Sequence, residues 1–205
     1  MRGPLPALPG LRAASPALRA ALKKDPSLSP ALAALLARSG RLFGCPAEEA
    51  LFLTGFDKDD ATPGRLDAAL AELRAADFLR LEGFTDIVPL ARSSRPTADL
   101  AASRGGALYV FEVRWVGGGF GADAVSKLSD KCARKAVQLG AAMKRSGADA
   151  GGLIFVAGLP FGREGRSPAL LAEAAEKLSG KAGRGRRHVC LIDGLGSAAY
   201  PEWGS

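Results

Sequence analysis

Asp99, Glu112 and Arg114 are the residues of this 205-residue chain whose types and spacing could do chemistry together. They lie in the stretch TADLAASRGGALYVFEVRW, Thr97 to Trp115. A Gly-Gly pair between two apolar-alternating runs signals a two-residue hairpin. With Gly105-Gly106 as the turn, Asp99 and Glu112 stand at equal distances from it and become cross-strand partners. Opposed residues on antiparallel strands have Cβ atoms about 5 Å apart. Arg114, two positions beyond Glu112, turns to the same face. Two carboxylates at about 5 Å repel by roughly 3 kcal/mol at an effective dielectric near 20. A cation is therefore needed beside them: a metal ion, Arg114 itself, or a lysine from a neighbouring element.

The flanking segments supply the elements that would hold such a hairpin. Arg65 to Leu81 carries Leu66, Ala69, Leu70, Leu73 and Ala76 at helical spacing, with Glu72 on the flank of that stripe. Thr85 to Ala91 reads as a strand, placed at an edge because Pro89 removes a ladder donor. Asp123 to Lys144 reads as a second helix. Its buried stripe is Val125, Leu128, Cys132, Ala136, Leu139 and Met143, while Lys127, Lys131, Lys135 and Gln138 stack on another face. That polar face is either a solvated charge stripe or a row of phosphate contacts that could also lend a cation to Asp99 and Glu112. Beyond it come a buried strand from Gly151 to Ala157, a helix from Ser167 to Leu178 and a last strand from His188 to Ile192. The loop KAGRGRR, Lys181 to Arg187, offers Arg184, Arg186 and Arg187 as either solvated turn residues or further backbone contacts.

These motifs resemble the PD-(D/E)xK nuclease superfamily, the restriction-endonuclease-like fold. That family runs helix, three strands, helix, strand, with an Asp opening the second strand and a (D/E)-x-K triplet on the third. Pro96-Thr97-Ala98-Asp99 followed by Glu112-Val113-Arg114 fills those places. Glu72 to Leu79 with Gly83-Phe84 is similar to the first core helix, which often carries an additional acidic residue, and Lys131 to Leu139 to the second. The resemblance covers about residues 64 to 157. It implies an α/β fold of mixed sheet flanked by helices, and Mg²⁺-dependent hydrolysis of DNA, with Mn²⁺ an alternative. Asp99, Glu112 and the Val113 carbonyl are hard oxygen donors suited to Mg²⁺, and Glu72 is a further acidic candidate. Arg114 stands where the family has Lys, and a guanidinium stays protonated and cannot act as a general base. It can hold charge on a scissile phosphate. Otherwise a Lys from the following helix takes the role, or the module binds nucleic acid or acts as a scaffold without turnover.

Composition fits this expectation. Lys and Arg number 28 against 21 Asp and Glu, a net charge of +7 that favours a polyanionic partner such as DNA. Cys45, Cys132 and Cys190 are far apart with no C-x-x-C pair, so neither a zinc ribbon nor a disulfide framework is indicated, and Cys132 belongs to a core stripe. A single histidine, His188, argues against multi-His zinc chemistry and HNH-type nucleases. No apolar run approaches the roughly 18 residues of a membrane span. The Pro-interrupted, Arg-rich start lacks a secretory h-region and only weakly echoes a transit peptide, so a cytoplasmic location is the expectation.

Residues 1–60 read as a helical extension and 61–205 as the α/β domain. In the extension, Ser29 and Pro30 open a helix that stops at Gly40, and Pro46 with Glu48 and Glu49 opens another that ends near Gly55. Asp57 to Pro63 reads as a linker. The extension could dock on the core, bind a protein partner or widen a DNA surface, and a homodimer is compatible with all three. A rival motif, Gly117-x-Gly119-x-x-Ala122, has the placement of a dinucleotide-binding turn. Glu112 and Arg114 in the preceding strand, and the lack of an acidic residue ending the next one at Gly158, count against it.

Overall fold

The computed structural model describes residues 11–25, 27–91, 97–117, 119–120, 123–158, 167–183, 186–194 and 196–203. Helices α1 (Pro16–Lys24), α2 (Leu28–Phe43), α3 (Ala47–Ala50) and α4 (Arg65–Leu81) precede strands β1 (Thr85–Pro89), β2 (Leu100–Arg104) and β3 (Ala107–Val116). After them come α5 (Ala124–Ser146), β4 (Ala150–Ala157), α6 (Pro168–Ala182), β5 (Arg187–Asp193) and β6 (Gly196–Tyr200). The six strands form one mixed sheet in chain order. Its first three strands are antiparallel, β3, β4 and β5 are parallel, and β6 returns antiparallel to β5. Two parallel joins need two crossovers, and α5 and α6 provide them.

Side-chain alternation divides the sheet into two buried faces. Val110, Leu153, Phe155, Val189 and Leu191 pack with Leu128, Cys132, Leu139 of α5 and Leu171 and Leu178 of α6. Phe111, Val113, Ile154, Cys190 and Ile192 pack on the other side against Ala75, Phe78 and Leu79 of α4. A third cluster joins Leu66, Leu70 and Leu73 of α4 to Leu18, Leu32, Leu35 and Leu51 of the N-terminal helices. Helix α4 is thus covered from two sides, and its weak amphipathicity follows from that, because a helix enclosed all round needs no polar stripe. Asp67 ties the layers together: its carboxylate accepts from the Ser15 backbone N–H at 2.7 Å and the Ser15 hydroxyl at 2.7 Å. The described part of the extension therefore docks on the core through α4.

The expected hairpin forms as read. Gly105 and Gly106 make the turn with φ of +59° and +80°, a pair of left-handed conformations that suits glycine. Pairing then runs from Arg104 opposite Ala107 to Leu100 opposite Phe111. Helix α4 has the expected bounds, and β1 is an edge strand.

Three expectations need correction. Helix α2 begins after Ser27 rather than at Ser29, and it passes through Gly40 to end at Gly44, which takes the left-handed cap. Gly40 is a packing position: a Cβ there would lie 2.7 Å from the Cys45 carbonyl oxygen, so the missing side chain lets the next turn fold back onto the helix. The strand at His188 is not the last, since β6 follows. Its sequence, GSAAY, is short and rich in small residues and carries no alternation to reveal it. Helix α6 runs to Ala182 and β5 starts at Arg187, which shortens the basic loop. Arg184, Pro96 and Ala122 lie outside the described residues.

Candidate active site at the β2–β3 edge

The site begins where β2 leaves β3. The Asp99 N–H donates to the Phe111 carbonyl at 2.8 Å, which extends the hairpin by one position. The Val113 N–H donates to Asp99 Oδ2 at 2.7 Å, so the Asp99 carboxylate sits against the backbone that carries Glu112. In a strand the N–H and C=O of one residue point to the same side. The Val113 carbonyl therefore faces the same gap, off the end of β2.

Glu112 projects from the opposite pleat of β3 to Phe111 and Val113, towards α5. It is buried, at 7 % exposure. Its Oε1 lies 2.5 Å from Lys135 Nζ, and the same ammonium donates to Gln138 Oε1 at 2.6 Å. Lys135 reaches the strand because α5 packs over this face, with Cys132, Ala136 and Leu139 in the core and Lys135 at the margin. The cation that two carboxylates require thus comes, at Glu112, from the following helix rather than from Arg114.

Arg114 is exposed one pleat further along β3. With Lys131, Arg134, Lys135, Gln138, Trp115, Val116 and Phe155 it lines a cleft of about 300 Å³. Of its four cations, only Lys135 has a carboxylate partner among the described residues. Arg134 entered no expectation, because on the helix it reads as one more solvated charge. Its signal was its offset of three from Lys131, which puts the two on neighbouring turns.

The remaining candidates are placed elsewhere. Lys127 is exposed and pairs with Asp123 at 2.5 Å, one helical turn away. Arg186 is exposed. Arg187 is taken up by the fold: it donates to the Ala182 carbonyl at 2.8 Å, capping the end of α6, and its guanidinium lies against Gly140 and Gly183. Glu72 is buried within α4, whose layer lies on the other face of the sheet from α5. Among the described residues no three His, Cys, Asp or Glu side chains converge as a metal-holding group. As donors, the Asp99 and Glu112 carboxylates and the Val113 carbonyl fit Mg²⁺ in kind, being hard oxygens along one strand edge.

The glycine turn after β3 meets a carboxylate of the protein itself. Asp193 Oδ2 accepts from the Phe120 N–H at 3.4 Å, and a Cβ on Gly119 would lie 3.6 Å from that oxygen. An anion-binding turn would offer those groups to a pyrophosphate. Nearby, Arg74 donates to the Ala157 and Gly194 carbonyls at 3.2 and 3.0 Å. Burial lowers its pKa to about 10, and Asp193 opposes that shift. Both residues close the ends of β4 and β5 rather than open a dinucleotide site.

His188 is also structural. Its Nδ1–H donates to the Pro201 carbonyl at 2.8 Å and its ring lies 4.3 Å from that of Trp203 and 6.0 Å from that of Tyr109, towards the turn end of the β2–β3 hairpin rather than the end that carries Asp99. Burial lowers its pKa, and the Arg104 charge adds to the effect against the pull of the Pro201 bond. No described helix is long and apolar enough to cross a membrane. Comparison with family models, with curated proteins and with solved structures found no match to this chain.

Proposed function

We propose that the chain is a Mg²⁺-dependent nuclease acting on DNA, an endonuclease or related phosphodiesterase of the PD-(D/E)xK type, with Lys135 supplying the ammonium that the motif's third position lacks. The observation that carries this reading is the 2.5 Å contact between Lys135 and Glu112 at the strand edge where Asp99 sits. The order helix, three strands, helix, strand over α4 to β4 supports it as well. Asp99, Glu112 and the Val113 carbonyl would hold the metal. When bound, Mg²⁺ supplies Lewis-acid polarisation of the phosphate and acidifies water. Lys135 orients Glu112 and offers an ammonium proton donor within the cleft, a compact point charge where Arg114 offers a planar fork. Arg114 holds the scissile phosphate, where a fixed donor is worth about 10² to 10³ in rate.

Plasmid, linear, branched and single-stranded DNA incubated with the full chain and Mg²⁺, Mn²⁺ or chelator tests the reading. Metal-dependent cutting of any form is the expected result. The same Lys135–Glu112 pair favours a second reading, a nucleic-acid-binding module without turnover, because an ion pair neutralises Glu112 without a metal. Binding with no cutting under either metal selects it.

A further inference from the structure

Two cations of the cleft have no task in the proposed chemistry. Lys135 is tied to Glu112, and Arg114 stands on the strand beside it. Lys131 and Arg134 remain, both lining the same cleft from α5. They are three positions apart, so their side chains are neighbours, and like charges so placed destabilise a helix unless an anion lies between or beside them. Arg134 has an acidic residue one turn earlier, at Asp130, yet its Nε approaches the Asp130 backbone carbonyl, at 3.4 Å. It makes no ion pair with that carboxylate. Lys131 has no ion-pair partner among the described residues.

We infer that Lys131 and Arg134 form a second phosphate subsite, and that its ligand is the terminal phosphomonoester of a nucleic-acid strand. The charge balance selects this ligand over an internal phosphodiester. A monoester carries about −1.5 to −2 near pH 7 and offers three strong acceptor oxygens, matching two cations, whereas a diester carries a single charge. Arg and Lys then divide the work, a planar fork on two oxygens and a point charge on the third. The identity of the strand as nucleic acid rests on the proposed function; the preference for a phosphorylated end does not require turnover.

The test uses the wild-type chain in chelator, so that no strand is cut, with one oligonucleotide sequence carrying a 5′-phosphate, a 3′-phosphate or neither. One phosphorylated form is expected to bind about tenfold tighter than the hydroxyl-ended strand, the scale of a charge-assisted contact to phosphate. In Lys131→Gln/Arg134→Gln, both positions being exposed, that gain should fall below about twofold while the hydroxyl-ended strand still binds. Equal affinity for all three ends, a preference that survives the double substitution, or no binding at all overturns the inference. Failure of the nuclease reading registers separately, as absence of cutting in the metal-containing incubation.

Discussion

Lys135→Met separates a structural ion pair from a working one. The substitution keeps the length of the side chain and removes the ammonium, leaving the Glu112 carboxylate at 7 % exposure without its cation. Breaking a fully buried pair costs about 3–5 kcal/mol. Here the Lys135 side chain retains 19 % of its exposure and water can approach, so about 2 kcal/mol is expected. For a chain of this size that lowers Tm by roughly 4–8 °C. Glu112→Leu/Lys135→Met removes both charges, and replacing a buried pair by apolar groups is often neutral. The double variant should recover most of the lost stability in denaturant titrations and still fail to cut DNA. A double variant no more stable than Lys135→Met would refute the pairing as the cause. Cleavage by Lys135→Met at the wild-type rate would refute its role in the site.

Other expectations address the surroundings. Affinity for DNA with phosphorylated ends should fall linearly with salt on logarithmic axes, and the slope should lose about one unit for each phosphate contact removed at Lys131 or Arg134; Lys127, paired with Asp123 outside the cleft, should change it least. An unchanged slope in Lys131→Gln/Arg134→Gln would return that face to a solvated role. Asp67→Ala leaves two buried Ser15 donors without their acceptor and should cost about 2–4 kcal/mol in denaturant unfolding; a cost below about 0.5 kcal/mol would mean the N-terminal layer is not held there. His188, whose folded pKa is lowered, contributes stability that is complete above the ordinary histidine range and lost as pH falls through it. The stability gap between wild type and His188→Gln should therefore narrow from neutral to mildly acidic pH, and a gap independent of pH would contradict the assignment.

The hairpin was legible because Gly105-Gly106 needs left-handed backbone at both positions and the flanking alternation sets the register. Helix α4 was legible from its apolar spacing, and α5 from a stripe that the core confirms at Leu128, Cys132, Ala136 and Leu139. What escaped depends on tertiary contact. The Lys135–Glu112 pair joins residues 23 positions apart, and only the packing of α5 across β3 chooses Lys135 over Lys131 and Lys127. Arg187 looks like its basic neighbours until α6 is seen to end above it. Gly40 reads as a helix stop because the signal for a glycine C-cap and for a close approach is the same residue. Asp193 carries no local motif, and its meeting with Gly119 and Phe120 follows from strand order alone.

The most direct measurement is the rate at which supercoiled plasmid is nicked by wild type, Arg114→Lys and Asp99→Asn, each with Mg²⁺, with Mn²⁺ and with chelator. Wild type and Arg114→Lys are expected to cut with either metal and not with chelator, the Lys variant at least as fast, because a lysine there adds a second ammonium without disturbing Lys135. Asp99→Asn is expected to be inactive, since it removes a carboxylate from the strand edge beside Val113. Wild type and Arg114→Lys both inert under both metals, with no Mg²⁺ bound by either, would contradict the nuclease and leave the same residues to a binding module.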